Sequence, residues 1–161
     1  MLESDIYEYL DLQDIHYQVV KHKAVYTIDE MEQADIEGFE YVVKNLFVRD
    51  DKKQHYYLIV VQKDKTVNMK ELRSKINSRR LSFASQDDLY KYLQLFQGEV
   101  THLGVLNDES KSVEVIFDQD IPEIIGVHPL VNTKTVYMKT SDLIEIIKKH
   151  GNKVSMISMK E

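Results

Sequence analysis

Apolar and polar positions recur along this chain in patterns that mark out most of its elements. In "SDIYEYLDLQ", Ile6, Tyr9 and Leu10 share one helical face, and Ser4 stands where a cap is needed. "YQVVKH" reads as a short strand. Thr27 opens a second helix through "IDEMEQAD", with Glu30 in the capping-box position, and Gly38 closes that region. "FEYVVKNLFVRD" and "QHYYLIVVQK" are rich in β-branched and aromatic residues, and the polar "DDKK" between them predicts a hairpin. Asn68 caps a helix that carries Met69, Leu72 and Ile76 on one face. "LSFAS" is short and extended. Ser85 caps a helix through "QDDLYKYLQLF" that Gly98 ends. "THLGVLND" is predicted as a strand and a turn, "SVEVIFDQD" as a strand and "EIIGVHP" as a short strand or loop. "TKTVYMKT" is a further strand. Thr140 or Ser141 caps "DLIEIIKKH", Gly151 ends it, and "KVSMISM" is a last strand.

Hairpins mixed with helical insertions do not make the steady strand–helix alternation of a doubly wound sheet. The expectation is an α+β fold with a mixed, partly barrel-like β-sheet and helices packed around it. The 161 residues read as one domain, 1–161, large enough to bury a core without disulfides or metal. No repeat of fixed period is present.

Composition narrows the chemistry. With no cysteine there is no disulfide framework, thiolate nucleophile or cysteine zinc site. The N-terminal stretch has neither the basic nor the apolar region of a secretory signal, and no apolar run reaches membrane length. The expectation is a cytoplasmic protein with no membrane partner. A net charge of −6 argues against a broad duplex footprint, so DNA is not an expected partner, although a local patch can hold the end of a nucleic acid. Lys21, His22 and Lys23, then Arg79 and Arg80, then Lys148, Lys149 and His150 form small basic clusters, each of which reads first as a solvated surface.

The standard phosphate-loop, dinucleotide and nucleophile-elbow motifs are missing, and no histidine pair has metal-ligand spacing. No metal or cofactor is expected. What remains is isolated polar groups among apolar ones. Lys44 alternates with Val42 and Leu46, while Asn45 alternates with Val43 and Phe47. A lysine on an apolar stripe either lines a cavity or emerges on an uncovered face, and spacing leaves both readings open. His128 precedes Pro129, which holds it extended. A lone histidine there is more often structural than catalytic. Gly98, Gly104 and Gly126 allow close backbone approach, or merely a cap or bulge.

Taken together, "HKAVYTIDE", "KNLFVRD", "GEVTHLGVLND" and "HPLVNTKTV" resemble, in that order, the YbaK-type family of aminoacyl-tRNA editing domains. The closer resemblance is to its free-standing branch, which hydrolyses alanyl-tRNA(Pro), and it covers nearly the whole chain. It implies a partly closed mixed sheet. It places the family's active-site lysine on Lys44 with Asn45 beside it. The Gly-x-x-x-Pro loop falls on Gly98 to His102, and the histidine of the His-Pro stretch on His128, followed by Asn132. Two departures stand out: the loop proline is His102, and the proline of the N-terminal stretch is Lys23.

The resemblance implies ester hydrolysis by a held water, with backbone N–H groups and a cation stabilising the charge that develops. Lys44, Gly98 and His128 are then the expected catalytic residues. Asn45, His22, Thr101, His102 and Asn132 are expected to bind substrate. Lys21, Lys23, Arg79 and Arg80 are candidate phosphate contacts. The implied partner is the acceptor end of tRNA(Pro), with docking of prolyl-tRNA synthetase left open. A synthetase pocket built for proline rejects alanine weakly, because a missing methylene is worth only about 1–3 kcal/mol, so a second, smaller pocket corrects the error. The altered loop keeps two alternatives in view: removal of cysteine or another small amino acid, and a non-catalytic module that senses aminoacyl-tRNA or an amino acid.

Overall fold

The two most β-prone stretches pair as expected in the computed structural model, which describes residues 1–159. β2 (Val43–Asp50) and β3 (Tyr56–Gln62) form an antiparallel hairpin in register from Val43↔Gln62 to Arg49↔Tyr56. β3 carries no polar residue before Gln62, and the reason is coverage on both faces. Tyr56, Leu58 and Val60 enter the largest core, whereas Tyr57, Ile59 and Val61 enter a second core on the opposite face.

Three more strands extend this sheet. β4 (Leu81–Phe83) pairs antiparallel with β2. β5 (Val113–Asp118) runs parallel to β3, and β8 (Val154–Ile157) runs parallel to β5. The order is β4-β2-β3-β5-β8. A second sheet is antiparallel throughout, with β7 (Lys134–Lys139) between β1 (Tyr17–Lys21) and β6 (Ile124–Val127). The expected partly closed sheet thus takes the form of two sheets that meet at a single bridge, Val42↔Gly126.

α1 (Glu3–Leu12), α4 (Gln86–Leu93) and α5 (Thr140–His150) supply Ile6, Leu10, Leu89, Leu93, Leu143, Ile146 and Ile147 to the largest core. Each such side chain contributes roughly 1.5–3 kcal/mol of burial. α3 (Met69–Lys75) covers the second core with Leu72. α2 (Ile28–Gln33) sets Met31 in a small third cluster with Val25, Ile36 and Val42, beside the bridge. Between β3 and α3, Lys65 reaches the buried Asp118 at 2.5 Å and the more exposed Asp120 at 3.3 Å.

Thr27, Asn68 and Ser85 cap their helices as predicted, each accepting a main-chain N–H three residues on. Glu30 departs from the box: its carboxylate accepts from the N–H of Tyr26 rather than Thr27. Ser4 lies inside α1, which begins at Glu3, and the Asp5 carboxylate holds the N–H of Leu2. α5 starts at Thr140 without a side-chain cap, and the Thr140 hydroxyl donates to the Pro122 carbonyl instead. Phe39–Tyr41, read as the start of a strand, is a 3₁₀ turn. α4 ends at Leu93 because Gln94 takes the left-handed conformation expected of Gly98. "THLGVLND" is a 3₁₀ helix, His102–Asn107, not a strand. His102 to Leu106 are all buried, so the apolar run carries no alternation. Gly104 is needed within it, since a Cβ there would stand 2.7 Å from Leu95 Cδ1.

Candidate active site

The seam between the sheets opens into a cavity of about 220 Å³. The start of β2 places Lys44 and Asn45 on its wall. Val25, Thr27 and Met31 line it from α2 and the segment before it, Gly98 and Val100 from the loop after α4, and Val127, His128 and Thr135 from the second sheet. Lys44 is half-buried and has no carboxylate partner among the described residues. The cavity reading of this lysine therefore prevails over the uncovered-face reading.

The loop after α4 is held down tightly. Gly98 has φ +90, and a Cβ there would lie 2.8 Å from Tyr26 Cδ1, so glycine lets the loop rest against that ring. The N–H of Glu99 is used by the carbonyl of Phe96. The N–H groups of Gly98 and Val100, which line the cavity, donate to no acceptor among the described residues. Main-chain donors left free at a cavity wall suit an oxygen on which negative charge grows.

Hydrogen bonding fixes the histidine tautomers. His128 Nδ1 meets the carbonyl of Lys134 at 3.2 Å, and a carbonyl can only accept, so Nδ1 carries the proton. In the neutral ring Nε2 is then an acceptor without a partner among the described residues. Burial holds the His128 pKa below the ordinary histidine value, and the charge of nearby His22 adds to that, against the pull of the Lys134 carbonyl. His22 lies behind the wall, its ring centroid 6.3 Å from that of His128. Its Nδ1 donates to the Lys23 carbonyl at 2.8 Å, and its Nε2 shares a hydrogen bond with the Thr135 hydroxyl at 2.9 Å.

The structure brings Lys44, Asn45, Gly98 and His128 together on one cavity, and His22 one residue behind it. Thr101, His102 and Asn132 do not line it. Thr101 is fully buried and caps the 3₁₀ helix through Leu103. Asn132 holds the N–H of Val25 with its main-chain carbonyl, which fixes the segment leading to α2. His102 is turned into the core, edge-on to Phe117, where burial pushes its pKa down to about 3. Arg79 is bound to Asp51 at the tip of the hairpin, about 20 Å along β2 from Lys44 at the usual rise per residue. The wall residues Val25, Met31, Val42 and Thr135 carry no chemical signal of their own in the sequence, and only the folded seam makes them a pocket.

Residues 22–146 match the model of the aminoacyl-tRNA editing domain. The chain is 47% identical over 152 residues to the prolyl-tRNA editing protein ProX of Acetoanaerobium sticklandii, with 93% of each chain covered. It is 30% identical over 159 residues to prolyl-tRNA synthetase associated domain-containing protein 1 of Xenopus laevis, covering 94% of this chain and 93% of that one. Its fold matches the crystal structure of a candidate trans-editing enzyme for prolyl tRNA synthetase with a TM-score of 0.73 at 18% identity, covering 99% of this chain and 96% of that one. Among the described residues no helix is long and apolar enough to cross a membrane, and no three or more His, Cys, Asp or Glu are grouped to hold a metal ion. The family match and the close relative, with a fold to suit them, place this chain in the YbaK/ProX family of aminoacyl-tRNA editing domains, which are deacylases.

Proposed function

We propose that the chain hydrolyses Ala-tRNA(Pro) in trans and so proofreads prolyl-tRNA synthesis. The observation that carries this reading is the arrangement around the cavity. Lys44 and Asn45 stand on one sheet, His128 on the other, and the unpaired N–H groups of Gly98 and Val100 lie between. The choice of tRNA(Pro) rests on the relative named as a prolyl-tRNA editing protein.

A cavity of about 220 Å³ suits an aminoacyl group rather than a whole nucleoside, given that roughly 150 Å³ suffices for benzene. Its apolar side, Val25, Met31, Val42 and Val127, suits a small aliphatic side chain such as the methyl of alanine. In this reading the Gly98 and Val100 amides hold the ester carbonyl oxygen as water attacks its carbon. Lys44 stabilises the resulting negative charge and the adjoining phosphate. The neutral Nε2 of His128 accepts a hydrogen bond from the substrate's α-ammonium and orients it. The carbon–oxygen bond to the terminal ribose then breaks, releasing alanine and free tRNA.

The test is the hydrolysis of Ala-tRNA(Pro), with Pro-tRNA(Pro) as control, by the wild type and Lys44→Ala. Loss of alanine alone, abolished by the substitution, is the expected result. Absence of alanine turnover by the wild type overturns the alanine assignment and sends the search to cysteine and other small amino acids.

A further inference from the structure

Asn45 stands between the cavity and the buried His102, which fixes the way its amide faces. Its Oδ1 receives two hydrogen bonds from the same residue: the main-chain N–H of His102 at 3.1 Å and the ring Nδ1 at 2.9 Å. A main-chain N–H can only donate, so this atom of Asn45 is the oxygen and not the amide nitrogen. The ring nitrogen facing the same oxygen must then carry its proton. Both lone pairs of the oxygen are occupied. Among the described residues the amide nitrogen has no partner and is not sealed from solvent, and Asn45 lines the cavity.

The other side of His102 makes no polar contact. The residue is 0% exposed, and its Nε2 is buried without a hydrogen-bond partner among the described residues. An orphaned polar atom in a core is unfavourable and calls for a reason. Among the described residues the ring hydrogen-bonds to Asn45 alone.

We infer that His102 is a positioning residue that clamps Asn45 with its amide N–H groups turned into the cavity, where they donate to a substrate oxygen beside Lys44. The inference rests on the deacylase reading and adds a residue outside the pocket to it. A proline at position 102, as in the loop this stretch resembles, has neither the N–H nor the ring donor and cannot make this clamp. The chain therefore sets its asparagine by a different means.

The experiment compares Ala-tRNA(Pro) deacylation by the wild type, His102→Leu, His102→Asn, Asn45→Ala and the double variant His102→Leu/Asn45→Ala. It is read together with ¹⁵N NMR of the His102 ring and the Asn45 side-chain amide. His102→Leu keeps the volume and the main-chain bond but loses the ring donor. It is expected to fold and to lose kcat on the order of tenfold, as for one hydrogen bond to a polar group. The double variant is expected to be no slower than Asn45→Ala, because the two residues act as one unit. His102→Asn, whose amide nitrogen sits where Nδ1 does, is expected to recover part of the rate, which a purely space-filling role would not allow. Wild-type kcat in His102→Leu, or losses that multiply in the double variant, would overturn the clamp. If the wild type itself does not turn over, the proposed function fails and the NMR arm decides the clamp alone. A protonated Nδ1 and an Asn45 amide resonance that moves in His102→Leu uphold it, and an unmoved resonance sinks it.

Discussion

Acid should loosen this fold through one buried ring. His102 is fully buried with no carboxylate beside it, and burial pushes its pKa to about 3, against 6.5 for an ordinary histidine. The folded chain therefore binds this proton less readily than the unfolded chain. Its stabilising contribution is complete above about pH 6.5 and is lost as the pH falls from there towards about 3. At about pH 4.5 the gap below the unfolded value is about two units, or about 3 kcal/mol. For a chain of this size that is a fall in Tm of about 5–10 °C. The assay is thermal or urea unfolding at about pH 7 and about pH 4.5 for the wild type and His102→Leu. Other ionisable groups, His128 among them, titrate in both proteins and cancel in the difference. The wild type should lose more stability than the variant by about that amount. Parallel losses would refute the assignment of His102 as a neutral, desolvated ring.

Two further outcomes can be checked at once. Lys65→Met leaves the Asp118 carboxylate buried and without its ammonium partner, and should lower the unfolding free energy in urea by about 3 kcal/mol. Lys65→Met/Asp118→Asn should recover most of that, since the uncompensated charge is gone. Deacylation should fall on an acid limb as His128 takes up a proton and Nε2 ceases to accept, with a midpoint below 6.5 because burial and His22 both oppose the charge. A kcat/KM profile from about pH 5 to about pH 8 measures it, and a midpoint above 6.5 would show that the ring is not held neutral.

Much of the fold was legible because local chemistry and tertiary context agree at the relevant residues. The β2–β3 hairpin follows from two β-prone runs and a polar tip, and Thr27, Asn68 and Ser85 cap as lone side chains can. The failures lie where tertiary burial replaces periodicity. The run from Leu103 to Leu106 is apolar and buried without alternation and reads as a strand, but its i→i+3 bonds and the close approach at Gly104 make it 3₁₀. Gln94 adopts the left-handed turn that the pattern reserves for Gly98, which is needed instead under the ring of Tyr26. At the site, Lys44 announces itself by standing on an apolar stripe, and His128 only through resemblance. Met31 and Thr135 are silent, because a methionine and a threonine become pocket walls only when two sheets meet. The direction of His102 was equally illegible, since nothing local tells a core ring from a pocket ring.

The single bridge between Val42 and Gly126 has a consequence for how such a protein can change. Lys44 and Asn45 belong to the five-stranded sheet, whereas Val127 and the α2 segment with Met31 close the cavity from beyond the seam. Few hydrogen bonds tie the two sides, so a wall residue can be exchanged without shifting the register of the strand that bears the lysine. On the proposed function, part of the amino-acid pocket and the strand that bears the lysine would thus stand in separate sheets. If Lys44 and Asn45 act as proposed, substitutions at Met31 or Val127 would reshape the wall while the strand that carries those two residues stays in register.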